Sequence, residues 1–323
     1  MSLPIATPRR SFIKSVAALL AASSLGSHSP GATTPAAARV GIQLFSLPKR
    51  LDEDLPGSLA LLAAMGYREV ELYGPYPFSD PAAHERWARV TPSLGFKGSG
   101  YFGRSGTELQ AMLQDSGLAV PSLHTDLATL QNAMPALAAA AQSFGAKYVT
   151  LPSIPEARRQ TLDDYRRTAD DFNAIGAAAR REGVTFAYHN HGYGWSAVDG
   201  TVPMEMFLAR TDPALVALEL DVFWTAAAGV DPLALLRRHR GRYALLHLKD
   251  MARPVRFSGD GGSSAQWIEL FPHMTTAGDG VLPLADLIRE ARAGGTRHVI
   301  VEQDMVAAPE VALKRSHDYV AAQ

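Results

Sequence analysis

The sequence predicts a (β/α)8 barrel, the TIM barrel architecture, built as one domain from residues 39–323. From Val40 onward, short apolar runs alternate with segments of helical periodicity. These runs are apolar throughout, which indicates parallel strands buried on both faces. The alternative, a doubly wound sheet, usually has about five or six strands and a GxGxxG turn after the first strand. No such turn follows Val40, and the number of runs favours the barrel.

Each strand is predicted from an apolar or β-branched run that ends at polar or turn-forming residues. The eight runs are VGIQLFS from Val40, EVELYG from Glu69, AVPSLHT from Ala119, YVTLPS from Tyr148, TFAYHNH from Thr185, VALELDVFW from Val216, ALLHLKD from Ala244 and HVIVEQD from His298.

Helices are predicted between the strands from apolar residues at helical spacing. The clearest are PALAAAAQSF from Pro135, TLDDYRRTADDFNAIGAAARREG from Thr161, DPLALLRRHRG from Asp231 and LPLADLIREARAGG from Leu282. Several end in glycine just before the next strand, as expected for helix C-caps. These glycines are Gly183, Gly241, Gly294 and Gly295.

A Gly- and Ser-rich stretch, FSGDGGSSAQW from Phe257 to Trp267, is predicted to be part of a long loop after the seventh strand. Loops at this end of a barrel border the active site, so this stretch is expected to lie over its mouth. A flexible surface insertion is the alternative.

Residues 1–38 are expected to be a twin-arginine export signal that precedes the barrel. Arg9 and Arg10 come before Phe-Ile-Lys, a modest apolar run VAALLAASSL follows, and the alanines of PAAARV suit cleavage. The segment resembles such signals and departs from them at Pro8, where Ser or Thr is usual. An amphipathic helix or a membrane anchor is the alternative, but about ten apolar residues are too few to span a bilayer comfortably. We therefore expect a periplasmic protein without a stable membrane span.

Composition excludes several classes of function. The chain is 47% hydrophobic and 20% charged, which suits a globular protein with a sizeable core. Its net charge of -1 gives no basic surface for nucleic acid. Because the chain has no cysteine, disulfides, thiolate catalysis and Cys-ligated zinc are excluded. A bound metal would need His, Asp, Glu or carbonyl ligands, which favour Mn, Mg, Co or Zn.

Four successive predicted strand ends carry side chains that bind metals. They are His189 or His191 on the fifth strand, Asp221 on the sixth, His247 on the seventh and Glu302 on the eighth. Barrel enzymes build their active sites at the C-terminal strand ends, so these side chains are expected to converge. The pattern predicts a divalent metal site made of nitrogen and oxygen ligands.

Several segments of the chain resemble those of a known family. The segments GIQLFS, YHNH, LELDVFW, HLKD, GDGVLPLADLI and VIVEQD are similar to those of the sugar phosphate isomerase/epimerase family of xylose isomerase-like TIM barrels, within the AP endonuclease 2 superfamily. The resemblance covers the chain from Val40 to the C-terminus. It implies a barrel with one divalent ion bound by a Glu, an Asp, a His and a Glu on strands five to eight.

Asp221, His247 and Glu302 match the last three of these ligands. At the first, where many members have a Glu followed by Asn, this chain has His189 and Asn190. We expect His189 to be the fourth metal ligand, since a neutral imidazole binds these ions as well as a carboxylate does.

Such a site can stabilise the enediolate that forms when a proton is removed next to a carbonyl group. His189 and Glu302 are expected to exchange protons with the substrate while also contacting the metal. Lys249, two residues after His247, faces the same way and is expected to bind a substrate oxygen. The alternative for Lys249 is a surface ion pair with Asp250.

Further polar and aromatic residues near the strand ends are expected to contact the substrate. Gln43, Glu71 and His124 follow the first three strands and can hydrogen-bond to hydroxyl groups. His191 lies beyond the end of the fifth strand, and Trp224 offers an aromatic face on which a sugar ring can stack.

The sequence therefore predicts a divalent-metal-dependent isomerase or epimerase acting through an enediolate on an unphosphorylated carbohydrate. One alternative is a lyase that acts by β-elimination on 3-keto glycosides. Another is a non-catalytic sugar-binding barrel. We expect a small-molecule carbohydrate as the partner, and barrels of this type often form homodimers.

Overall fold

The computed structural model describes residues 39–323, so the predicted export signal in residues 1–38 lies outside the described part of the chain. The described residues form a closed barrel of eight parallel strands, which confirms the predicted fold. The strands are β1 Val40–Gln43, β2 Glu69–Tyr73, β3 Ser122–His124, β4 Tyr148–Leu151, β5 Thr185–His189, β6 Val216–Asp221, β7 Tyr243–Leu248 and β8 His298–Val301.

Neighbouring strands pair in chain order, and β8 closes the barrel against β1, with Val40 opposite Val299. Seven strands lie within the predicted runs, and β7 begins at Tyr243, one residue before the run predicted from Ala244. The sequence signal works well here because parallel barrel strands are buried on both faces and appear as apolar runs.

Helices surround the barrel, and they begin and end close to the predicted bounds where a prediction was made. They are α1 Pro48–Glu53, α2 Leu55–Met65, α3 Pro81–Leu94, α4 Gly106–Asp115, α5 Leu127–Asn132, α6 Met134–Ser143, α7 Leu162–Arg181, α8 Pro203–Arg210, α9 Val222–Ala227, α10 Pro232–Arg238, α11 Ser264–Leu270, α12 Leu284–Ala293 and α13 Pro309–Ala321.

The longest helix, α7, shows how local sequence sets its limits. Thr161 caps its N-terminus in a capping box with Asp164, so the helix starts one residue after the predicted start. Gly183 follows its end with a φ of 78°, in the left-handed region that glycine adopts without strain. After α12, Gly295 takes this role with a φ of 100°, whereas Gly294 has a right-handed φ of -83°.

The strand period of two decides which residues meet inside the barrel. Tyr148, Ala187, Leu245 and Ile300 form an apolar layer within it. Two residues further along the chain come His189 on β5, His247 on β7 and Glu302, the residue that follows β8. An apolar layer therefore supports a polar layer at the C-terminal ends of the strands.

The segment between β7 and β8 is longer than the other connections and is not only a loop. It contains a two-stranded antiparallel ribbon, Asp250–Met251 with Met274–Thr275, and helix α11. The predicted loop Phe257–Trp267 is correct for its first part, but residues from Ser264 onward belong to α11 because Ser263 and Gln266 form a capping box. Among residues 39–323, we found no helix with the length and apolar character needed to cross a membrane.

Candidate metal centre and active site

The four predicted metal-binding residues all lie at the C-terminal end of the barrel, and three of them form one group. Asp221, His247 and Glu302 each offer a ligand atom, and these atoms lie within 4.8 Å of one another. His247 Nδ1 is 2.7 Å from Glu302 Oε2. The fourth predicted ligand, His189, reaches this group less closely, with Nε2 3.8 Å from Asp221 Oδ2. We call Asp221, His247 and Glu302 the outer cluster.

Lys249 lies within the outer cluster and is buried, with 3% of its surface exposed. Its ammonium group is 3.2 Å from Asp221 Oδ2, 2.8 Å from Glu302 Oε2 and 3.0 Å from Asp304 Oδ2. The alternative of a surface pair with Asp250 is therefore wrong. The carboxylate of Asp250 accepts backbone N–H groups instead, from Gly278 among others.

A second group of polar side chains lies on the other side of the His247 ring. His124 Nε2 is 2.8 Å from Glu219 Oε2 and 3.0 Å from Glu71 Oε2. His247 Nε2 is 2.6 Å from Glu71 Oε2, and Gln43 Nε2 donates to the same oxygen at 2.8 Å. Gln43, Glu71 and His124 thus bond to one another and to neighbours in the barrel. Their proposed contacts with substrate stay a prediction.

Glu219 was missed by the sequence reasoning, although the signal was present. In Leu-Glu-Leu-Asp, Glu219 is two residues before Asp221 and must point to the same side of β6. The structure places it next to three imidazoles, those of His124, His189 and His247. These four residues also offer ligand atoms within 4.8 Å of one another, and we call them the inner cluster.

Asn190 was also missed as a site residue. Its side-chain oxygen accepts the backbone N–H of Asp221 at 3.0 Å, and its amide donates to Thr225 Oγ1 at 2.9 Å. Asp221 in turn accepts the N–H of Trp224 through Oδ1 at 2.8 Å, which caps helix α9. Asn190 thus holds the backbone of Asp221, and the Trp224 N–H holds its Oδ1. The other carboxylate oxygen, Oδ2, remains available to the site.

His191 and Trp224 form an aromatic wall beside the clusters. The His191 ring is stacked on Trp224 with centroids 5.6 Å apart and contacts Trp267 of α11 at 4.1 Å. The Lys249 ammonium lies 4.9 Å over the Trp224 ring, close enough for a cation–π contact. The Phe257–Trp267 segment thus reaches the strand ends, as the prediction of a loop over the site requires.

Arg159 ties that segment to the β4–α7 connection. Its guanidinium donates to the carbonyl oxygens of Ile154 at 3.1 Å and Gly262 at 2.5 Å, and lies 3.2 Å from Asp260. The same group is 4.2 Å from the centre of the Tyr193 ring. A buried arginine with this many partners holds the segment against the barrel.

Burial and charge set the protonation of the outer cluster. Burial alone would raise the pKa of Glu302, but Lys249 and His247 outweigh it and hold that pKa well below its usual range. Burial lowers the pKa of His189, so its imidazole is neutral at pH 7. Burial and then the Glu302 charge raise the pKa of Asp304 to about 8. The C-terminal end of the barrel therefore carries both an ionised carboxylate, Glu302, and a neutral imidazole, His189.

The donor set of the outer cluster fits a divalent ion. Asp221 Oδ2 is buried and accepts no hydrogen bond, although Lys249 is near it. Two carboxylates and an imidazole, without any thiolate, are ligands that suit Mn, Co, Zn or Mg. The residues present are thus able to hold the predicted ion.

The comparisons with known proteins agree with the barrel fold. The profile described as "Xylose isomerase-like TIM barrel" matches residues 59–322, which is most of the chain. The chain belongs to the xylose isomerase-like TIM barrel family. Members of this family include enzymes that act on sugars, and the strand-end cluster described above lies within the matched residues.

Among curated proteins, the chain is similar to inosose dehydratases. It is 30% identical to that of Lacticaseibacillus casei over 162 residues, which covers 48% of this chain and 53% of the relative. It is 33% identical to that of Bacillus anthracis over 96 residues, covering 29% of this chain and 31% of the relative. The chain therefore spans about a third to half of the length of the curated relatives it matches.

Solved structures share the fold of this xylose isomerase-like barrel. A sugar phosphate isomerase/epimerase from Parabacteroides distasonis aligns with a TM-score of 0.67 and 22% identity, covering 90% of this chain and 96% of that one. The IolI protein, described with a binding zinc atom, aligns with a TM-score of 0.62 and 14% identity, covering 88% and 97%. At these identities, the likeness concerns the fold alone.

Proposed function

We propose that this xylose isomerase-like barrel is a divalent-metal-dependent enzyme that removes the proton next to a carbonyl group of an unphosphorylated keto-sugar or cyclic polyol ketone. We further propose that loss of water by β-elimination is the outcome. The observation that carries the proposal is the ionised Glu302 carboxylate, held at the strand ends within ligand distance of Asp221 and His247. The similarity to inosose dehydratases favours elimination.

Asp221, His247 and Glu302 would hold the ion. His189, the fourth ligand predicted from the sequence, keeps its Nε2 proton in this proposal and would not bind the ion through that nitrogen. When bound, the ion supplies Lewis-acid polarisation of a substrate carbonyl oxygen. This role suits the outer cluster because its oxygen atoms are buried, where electrostatic interactions are stronger than in water.

The residues of the chain provide the proton transfers. Glu302 is ionised and is able to accept a proton, and its hydrogen bonds to His247 and Lys249 fix its position. His189 is neutral and is able to donate through Nε2, the nitrogen nearer to Asp221. A carboxylate base next to a neutral histidine donor is an established solution for proton removal beside a carbonyl group. The Lys249 ammonium stabilises negative charge that develops on a substrate oxygen.

An unphosphorylated substrate is proposed because the backbone N–H groups that could hold a phosphate are already used. Barrel enzymes often bind phosphate at the loops after the last two strands. In the connection after β7, the Asp250 carboxylate accepts the N–H groups of Gly278 at 2.9 Å and Gly280 at 3.0 Å, so these two groups are not free for a phosphate. Phosphate would have to displace a carboxylate to bind there.

Isomerisation or epimerisation is the second candidate reaction. His189 and Glu302 come from strands that are not neighbours, so they are able to approach a substrate from different directions. A donor and an acceptor placed in this way also allow a proton to return to another carbon or to the other face.

The test is a reaction screen in deuterated water with Mn added, using inososes, ketoses and 3-keto glycosides. We expect deuterium exchange beside the carbonyl and loss of water from at least one substrate. Glu302→Gln should abolish exchange, whereas Glu310→Gln, an exposed glutamate paired with Arg50, should not. Exchange with an isomeric product would favour the second candidate. Binding without exchange would indicate a sugar-binding barrel, and a fully active Glu302→Gln would refute the proposed base.

Export through the twin-arginine pathway is proposed from the sequence of residues 1–38. It places the enzyme and its carbohydrate substrate in the periplasm. Fractionation of cells that express the full chain tests this proposal, and replacement of Arg9 and Arg10 by lysine should retain the protein in the cytoplasm.

A further inference from the structure

The geometry points to a second divalent cation site beneath the outer cluster. We infer that the inner cluster, His124, His189, Glu219 and His247, binds its own ion. This inference goes beyond the proposed function, which needs only the outer cluster. Two observations carry it: the spacing of the ligand atoms and the unpaired polar atoms.

The spacing of the ligand atoms suits a four-coordinate ion. Bonds of about 2.0–2.1 Å in a tetrahedron place neighbouring ligand atoms about 3.3 Å apart. Glu219 Oε2 is 3.4 Å from His189 Nδ1 and 2.8 Å from His124 Nε2, and Glu219 Oε1 is 3.3 Å from His247 Nε2. Each of the four residues offers an atom within 4.8 Å of the other three. Only small side-chain movements would complete the coordination.

Several polar atoms of this group are buried without a hydrogen-bond partner. They are Glu219 Oε1 and His189 Nδ1. A buried polar atom left unpaired costs about 1–3 kcal/mol. Two such atoms in one group are uncommon in a folded protein, and a cation bound to both would satisfy them together.

Protonated imidazoles balance the buried carboxylates when no ion is bound. Burial lowers the pKa of His124, but Glu71 and Glu219 outweigh it and raise that pKa to about 9. Glu71 and Glu219 are fully buried, and their ion-pair partners among residues 39–323 are imidazoles, with no lysine or arginine within 4.0 Å. The outer cluster, by contrast, has the permanent charge of Lys249. A divalent ion would replace the protons of these imidazoles as the positive charge opposite Glu219 of the inner cluster and its neighbour Glu71.

The ligand types indicate which ions fit. Three imidazoles and one carboxylate favour Zn, Co, Mn or Fe over Mg or Ca, which prefer oxygen ligands. With both sites filled, His247 would bridge the two ions as an imidazolate that has lost its remaining N–H proton to solvent, since Nε2 faces Glu219 while Nδ1 faces Glu302. If Nδ1 of His189 binds the inner ion, the Nε2 of the same ring carries the proton. The proposed function requires this proton, because His189 acts there as a donor.

The experiment is a titration of chelator-treated full-length chain with Co²⁺, with bound metal counted by mass spectrometry after dialysis. We expect about two ions per chain in the wild type, one in Glu219→Gln and one in Asp221→Asn. Glu69→Gln is the matched control, because Glu69 is a buried glutamate that pairs with His298 outside both clusters. It should still bind two ions.

A second readout guards against misfolding of Glu219→Gln. Tetrahedral Co²⁺ absorbs visible light far more strongly than octahedral Co²⁺, so the inner ion should give an intense band that His124→Gln also loses. Circular dichroism would confirm that both variants are folded. The inference is overturned if the wild type binds no ion, or binds one that Glu219→Gln and His124→Gln retain. If the wild type binds one ion that Glu219→Gln loses and Asp221→Asn keeps, the inner site stands and the outer site of the proposed function is the one that fails.

Discussion

Replacement of Lys249 by methionine tests the electrostatics of the site most directly. The ammonium group lies 2.8–3.2 Å from the carboxylates of Asp221, Glu302 and Asp304, and the side chain is almost fully buried. At an effective dielectric constant of about 20, each such contact with an ionised carboxylate is worth roughly 5 kcal/mol before desolvation is subtracted. Removal of one partner from a buried ion pair usually costs about 3–5 kcal/mol of stability.

We therefore expect the free energy of unfolding of the metal-free protein to fall by about 3–5 kcal/mol in Lys249→Met. Excess Mn should recover part of this loss, because the ion supplies the missing positive charge to Asp221 and Glu302. Urea denaturation at pH 7, with and without chelator, measures both effects. The control is Lys314→Met, an exposed lysine paired with Asp318, which should cost at most about 1 kcal/mol. An equally small loss of unfolding free energy in Lys249→Met and Lys314→Met would show that the buried ion pairs of Lys249 do not stabilise the protein.

Three further outcomes follow from the structure. Arg159→Met should speed proteolysis within residues 257–267, because the loop loses its buried guanidinium donor; unchanged cleavage would show that other contacts hold it. Asp250→Ala should lower the unfolding free energy by about 2–4 kcal/mol, since it leaves the N–H groups of Gly278 and Gly280 unpaired. Chelation should lower the melting temperature, and Co, Mn or Zn should restore it, because an ion that binds only the folded state stabilises that state. A melting temperature that does not change with chelator or metal would contradict a bound ion.

The barrel was predictable because its signals are local. Each apolar run needs only its own residues to be recognised, and Thr161 and Gly183 mark the limits of α7 in the sequence itself. Asp221, His247 and Glu302 were also predictable as one group, because the C-terminal ends of barrel strands meet at one edge.

The interior partners were not predictable from these local signals. Glu71 and His124 are separated from Glu219 by 148 and 95 residues, and only closure of the barrel brings them together. The contacts of Lys249 were not predictable either. The strand period predicts that its side chain faces the same way as His247, but not that three carboxylates surround it. Glu219 could have been predicted from the period of two in β6, because it faces the same side as Asp221. It was missed because only residues at the strand ends were considered as ligands.

The arrangement of β5 and β6 explains how the site tolerates its main departure from the family pattern. Many members are expected to carry a glutamate where this chain has His189, and the loss of a carboxylate would weaken the hold on a cation. Glu219 restores that charge from the neighbouring strand, opposite His189 in the β5–β6 register and 3.4 Å from its Nδ1.

The end of β5 thus carries a neutral imidazole, and the Glu219 carboxylate opposite it belongs to the inner cluster. This arrangement assigns two tasks to two residues. Glu219 provides charge within the inner cluster, while His189 is free to offer a proton at the outer surface of the site. A chain that restores Glu at position 189 should therefore lose the donor. We expect it to bind metal at the outer cluster more tightly and to eliminate water more slowly than the wild type.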